Sequence, residues 1–188
     1  MLKDRYFYPL AALVVAGIVT LALRPGGTNS SGEVNSWELA GEALDALQVS
    51  PGTTLEYQPD EGGYVRLSAF TPFDQGPGSV GIFASLGPAQ ERSFAGQEIE
   101  ITLRARAGAG DPLEAFDSAY FPIEGPASDW ERFQLGSDWQ SYTYRYTPAI
   151  VPAEPNVDLI SIWPGKLGEQ KVMELASVRV EKVAPDGE

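Results

Sequence analysis

From Thr54 to Val183 the chain is written in period two, and no other feature limits its fold as much. In the run Glu98 to Ala107, Ile99, Ile101, Leu103, Ala105 and Ala107 share one face, while Glu98, Glu100, Thr102, Arg104 and Arg106 share the other. Such alternation suits a strand with one side buried and the other in water. It recurs in Tyr142, Tyr144 and Tyr146 against Thr143 and Arg145. It recurs again in Ala176, Val178 and Val180 against Ser177, Arg179 and Glu181. The pattern predicts strands over Thr54–Tyr57, Tyr64–Phe70, Val80–Leu86, Glu98–Ala107, Asp117–Ile123, Trp139–Thr147, Val157–Trp163 and Glu174–Val183. Trp139 is read as opening the aromatic strand and belonging to its core. Turn signals separate the strands: Asp60-Glu61-Gly62-Gly63, Gly76-Pro77-Gly78, Gly108 to Pro112, Gly125-Pro126 and Pro164-Gly165. The 20 glycines and 15 prolines are too many for a helical bundle. With no amphipathic helix between them, these strands predict a mainly β protein, an antiparallel sandwich or barrel.

The segment before this body reads differently. Tyr6 to Leu23 carries no formal charge and would span roughly 27 Å as a helix, enough to cross a hydrocarbon core. Lys3 and Arg5 precede it, Tyr6, Phe7 and Tyr8 suit an interfacial belt, and Pro9 falls in the first turn. The expectation is an uncleaved transmembrane helix, with a cleaved signal peptide as the alternative, because the Thr20-Leu21-Ala22 region is a weak cleavage site. Ala12, Ala16 and Gly17 form a small-residue track that reads as the ordinary alanine content of a membrane span, with a face packed against a partner helix as the alternative. The charge bias places the N-terminus in the cytoplasm and the body on the exported side. Residues 1–24 are thus read as the cytoplasmic end and membrane helix, 25–35 as a Gly/Ser/Asn-rich tether, and 36–188 as the exported domain. Asn35 and Glu38 resemble a capping box. Trp37, Ala40, Leu44 and Leu47 then follow at helical spacing, predicting a short helix, with Leu44 to Val49 as a first strand being the other reading.

Charge and composition narrow the chemistry. There are 13 Lys and Arg against 26 Asp and Glu, a formal charge of −13, which disfavours nucleic acid as a partner. The absence of His and Cys removes Ser-His-Asp triads, cysteine nucleophiles, thiolate or imidazole zinc sites and disulfides. A cysteine-free exported domain fits a bacterial envelope, so the placement is the inner membrane with a periplasmic or extracytoplasmic body. Asp111, Glu114, Asp117, Asp129 and Glu131 crowd one segment without the spacing of a metal loop and read as solvated acids. The sequence calls for no cofactor, no metal and no enzyme.

The last third has a distinctive order. Gly136-Ser137-Asp138-Trp139 leads into QSYTYRYT, an irregular stretch from Pro148 to Asn156 follows, then Ser161-Ile162-Trp163-Pro164-Gly165, then MELASVRVEKV. With EIEITLRARA upstream, this resembles the carbohydrate-binding-module, galactose-binding-like jelly roll over Thr54 to Val183. The resemblance implies a β-sandwich that binds and does not catalyse, with a polysaccharide or glycan as the implied ligand. Sugar rings are held by flat aromatic faces beside polar groups. Trp130 and Trp163, in polar turn-rich segments, and Tyr120 are therefore candidate ligand residues. Phe70, Phe73 and Phe121 stand in similar strand-end positions. Arg104 and Arg106, with Arg145 expected nearby, would form a polar shelf for an acidic sugar; the plainer reading is a solvated face paired with Glu98 and Glu100. The alternative function is an accessory subunit of a membrane protein complex, its helix and sandwich packed on partners.

Overall fold

The structure, a computed structural model, describes residues 34–75, 81–150 and 157–184. The expected membrane segment Tyr6–Leu23 and nearly all of the tether lie outside them. Among the described residues no helix is long and apolar enough to cross a membrane. In chain order the strands are β1 (Ser36–Ala40), β2 (Gln48–Val49), β3 (Thr53–Gln58), β4 (Tyr64–Ala69), β5 (Ile82–Leu86), β6 (Ile99–Ala107), β7 (Ala115–Phe121), β8 (Glu131–Gln134), β9 (Gln140–Tyr146), β10 (Asp158–Trp163) and β11 (Met173–Lys182). A short helix α1 (Pro88–Phe94) follows β5, with proline in its first turn and Phe94 buried.

The strands form two antiparallel sheets. Sheet A runs β3-β4-β11-β6-β9, with β1 also on β11; sheet B runs β2-β5-β10-β7-β8. Their inner faces share one core. Leu67, Ile101, Leu103, Tyr142, Tyr144, Val178 and Val180 come from sheet A, and Ile82, Leu86, Phe116, Tyr120, Ile160 and Ile162 from sheet B. Each large apolar side chain buried there contributes about 1.5–3 kcal/mol. The fold class read from the alternation, an antiparallel β-sandwich, is what the body adopts.

Three local readings are corrected. Ser36–Ala40 is a strand, not the start of a helix. Trp37 and Leu39 turn toward the core at period two, and β1 pairs with β11 from Ser36↔Glu181 to Ala40↔Ser177. The Asn35 carbonyl accepts a hydrogen bond from Lys182 N–H at 3.0 Å, so the chain is already extended there. Gly41, at φ 58, then turns the chain into the 3-10 segment Gly41–Ala46, which buries Leu44. Second, β8 is an edge strand whose Glu131, Arg132 and Gln134 are all exposed, leaving only Phe133 as an alternation signal. Third, β11 carries a bulge between Leu175 and Ser177. Inward positions are therefore Met173 and Leu175 before it, Val178 and Val180 after it, and Ala176 is not one of them.

Candidate functional site

The outer face of sheet B carries an unusual load for a surface. On β7, Phe116, Ser118 and Tyr120 point to the core, so Asp117, Ala119 and Phe121 face outward. On β10 the outward residues are Leu159, Ser161 and Trp163, in register as Phe121↔Leu159, Ala119↔Ser161 and Asp117↔Trp163. The 3-10 turn Phe73–Gln75 lies against this face. Phe73 meets the edge of Trp163 at 5.2 Å and of Trp130 at 5.2 Å, and Trp130 meets Phe121 at 5.4 Å. Trp163 is buried, whereas Phe73, Phe121 and Trp130 are half-buried and keep ring surface open to solvent. Trp163 Nε1 and Ser161 Oγ are buried there without a hydrogen-bond partner.

Charge frames this aromatic cluster. Asp117 is fully buried, with Arg132 Nη1 3.0 Å from Oδ2 and Lys166 Nζ 3.1 Å from Oδ1. The register explains the first contact, because Arg132 on β8 stands opposite Asp117. The Lys166 ammonium also lies 5.5 Å from the Phe73 ring centroid. An open cavity of about 190 Å³ adjoins, lined among others by Ala115, Arg132, Gly165 and Lys166. A half-exposed aromatic surface beside fixed donors is chemistry for stacking a sugar ring and holding its hydroxyls.

Two sequence-predicted ligand residues take other roles. Trp163 does not offer a face to solvent: Phe73 and the backbone at Gly81 close over it. A Cβ at Gly81 (φ +76) would sit 2.9 Å from the Trp163 ring and 2.5 Å from the Ile162 carbonyl, so only glycine fits that approach. Tyr120 points into the core, where its hydroxyl donates to Asp158 Oδ2 at 2.5 Å. Burial first, and the Asp158 hydrogen bond second, push its phenol well above the ordinary value. The polarity of Trp163's neighbours misled the reading, since turn residues can pave a buried ring as well as an open one. Of the crowded acids, Asp117 is buried, not solvated. Among the described residues no group of three acids gathers into a metal-ligand set.

Arg104 and Arg106 lie on sheet A, not with Trp130. Their neighbour is Trp139, which belongs to the outer face and not to the core. The Arg106 guanidinium carbon is 4.3 Å from the Trp139 ring centroid and that of Arg104 is 5.4 Å away. Tyr64 meets Trp139 edge-on at 5.8 Å. Arg106 is held by Glu174 Oε2 at 2.6 Å and Glu61 Oε2 at 3.2 Å, and Trp139 Nε1 donates to Glu61 at 3.2 Å. Burial alone would lower the Arg106 pKa; the hydrogen bond and charge of Glu174, then those of Glu61, outweigh it and raise the value. Arg145 stands apart, 3.3 Å from Glu100 and 3.5 Å from Glu98, so those acids serve Arg145 and not the other two arginines.

No protein-family model matches the chain, and no curated protein matches its sequence. Solved structures do match its fold. One is the CBM22-1 xylan-binding domain of Paenibacillus barcinonensis Xyn10C, at 10% identity over 80% of this chain and 95% of that one, TM-score 0.53. Another is the C-terminal family 22 carbohydrate-binding module of Clostridium thermocellum Xyn10B, at 10% identity over 81% and 95%, TM-score 0.54. At such identities the likeness defines the fold alone: the β-sandwich of carbohydrate-binding modules.

Proposed function

We propose that this chain is a non-catalytic carbohydrate-binding module that takes a polysaccharide chain along the outer face of sheet B. The observation that carries the reading is the half-exposed Trp130, propped by Phe73 and Phe121, on a face where Asp117 holds Arg132 and Lys166 and Lys166 also lies over Phe73. Sugar rings stack on such faces, and the flanking donors orient their hydroxyls. The xylan-binding neighbour makes xylan the first ligand to test. Asp117, the buried acid beside the cluster, is ion-paired through both oxygens to Arg132 and Lys166, which holds those two cations on this face. Affinity electrophoresis of the full chain in gels cast with xylan or a soluble cellulose derivative tests it. The wild type should be retarded and Trp130→Ala should run freely while still melting cooperatively within a few degrees of wild type. Equal retardation of both would refute the site.

The reading keeps Tyr6–Leu23 as the anchor that holds the module on the exported side of the inner membrane. The full chain should fractionate with membranes and require detergent for release. Recovery of the intact chain in the soluble fraction would remove the anchor from the proposal.

A further inference from the structure

The outer face of sheet A carries a second arrangement that the glycan face on sheet B leaves unused. It is built in rows. Glu56, Arg66, Glu174 and Arg106 stand opposite one another across β3, β4, β11 and β6. Within this row Arg66 lies 3.9 Å from Glu56 and 4.0 Å from Glu174, while Arg106 is locked to Glu174 and Glu61. Arg106 thus has Nε and Nη2 committed to carboxylates, and its guanidinium also makes a cation–π contact with the Trp139 ring.

Arg104 differs. It is exposed, and among the described residues no carboxylate lies within 4.0 Å of it. Its register partners are Ser141 on β9 and Ser177 on β11, small hydroxyls that leave the guanidinium fork uncovered. In a chain with 26 acidic residues against 13 basic ones, most arginines should find an acid, so this clearance is a feature of the site. Arg104 and Arg106 leave the same face of one strand, two residues apart, and both reach the Trp139 ring. Trp139 is half-buried, so part of the indole stays exposed beside Arg104.

We infer that Trp139 and Arg104 form a second saccharide site, for a uronic-acid unit whose ring packs on the exposed part of the indole and whose carboxylate takes the Arg104 fork. A planar guanidinium matches a carboxylate through two parallel hydrogen bonds, which a neutral sugar cannot reproduce. Ser141 and Ser177 are placed to meet ring hydroxyls on either side.

Titration calorimetry of the full chain with tetragalacturonate, and with its carboxyl-reduced neutral form, tests the assignment. The acidic oligomer should bind, should weaken as salt is raised, and should exceed the neutral form by about tenfold. Arg104→Gln should erase that preference. Arg104→Lys should recover only part of it, because a lysine keeps the charge and loses the fork. Trp139→Ala should weaken both ligands, and a cooperative melt of each variant confirms the fold. Trp130→Ala should leave tetragalacturonate binding unchanged, which separates this site from the one on sheet B. The inference is overturned if the wild type does not bind tetragalacturonate, if Arg104→Gln binds it as the wild type does, or if Trp130→Ala abolishes it. The last result would place the uronate on sheet B and leave the proposed function standing.

Discussion

Replacing Trp163 by Ala should cost about 3–5 kcal/mol, because the ring is fully buried beneath Phe73 and Gly81 and its removal leaves a cavity. Trp130→Ala should stay within about 1 kcal/mol of wild type and act on ligand binding instead. Urea melts of the two variants decide this; equal destabilisation would put Trp130 in the interior with Trp163. The arginines divide the same way. Arg106→Ala strands the buried Glu174 carboxylate without its principal partner and should cost about 3 kcal/mol, whereas Arg104→Ala should change stability by under about 0.5 kcal/mol. If both melt alike, the Glu174 pair is not holding sheet A. The placement of Trp139 was legible in the sequence by parity alone. Trp139 stands one residue before β9 and an odd step from the inward Tyr142, so an extended chain entering the strand turns it to the outer side. The burial of Trp163 was not legible, since its cover comes from Phe73 and Gly81, far away in the chain.

At the level of elements, the strands with clean alternation were legible almost to their ends, and those without it were not. Strand β6 appears as written because nine residues alternate without interruption. β1 was hidden because Trp37, Ala40, Leu44 and Leu47 mimic a helical stripe. Only the pairing with β11, formed across most of the chain, settles the choice. The bulge at Ala176 hides in the same way, because Ala176, Val178 and Val180 look like one uninterrupted face. It has a testable consequence. Removing Ala176 erases the extra residue and leaves Leu175 and Val178 two positions apart, so Met173, Leu175, Val178 and Val180 would all keep facing inward in regular alternation. Deletion of Ala176 should therefore keep a cooperative melt, while deletion of both Ala176 and Ser177, which sets Leu175 beside Val178 and turns one apolar pair to solvent, should abolish it. Loss of the cooperative transition on deleting Ala176 alone would show that the fold needs the bulge itself and not only the inward parity.

Across the whole molecule, the two-sheet architecture places tyrosines where ionisation opposes folding. Tyr120 from sheet B and Tyr144 from sheet A both lie in the shared core. Tyr120 is pushed up from its ordinary value of 10.0 by burial and then by its hydrogen bond and charge interaction with Asp158. Tyr144 is pushed up by burial, which outweighs the opposing hydrogen bond from Ser118. A raised native pKa means the folded state holds the phenolic proton after the unfolded chain has released it. The stabilisation is complete below the unfolded value and is lost as pH rises above it. Each such tyrosine should steepen the loss by about 1.4 kcal/mol per pH unit above about pH 10. The urea midpoint of the wild type should hold level up to that point and then fall. Tyr120→Phe combined with Tyr144→Phe should lower the plateau, since Asp158 and Ser118 lose a partner, yet flatten the alkaline decline. Some slope should survive in the double variant, because Tyr64 and Tyr146 are shifted in the same direction, mainly by burial. If the double variant declines above about pH 10 as steeply as the wild type, the core phenols are not what couples this fold to alkaline pH.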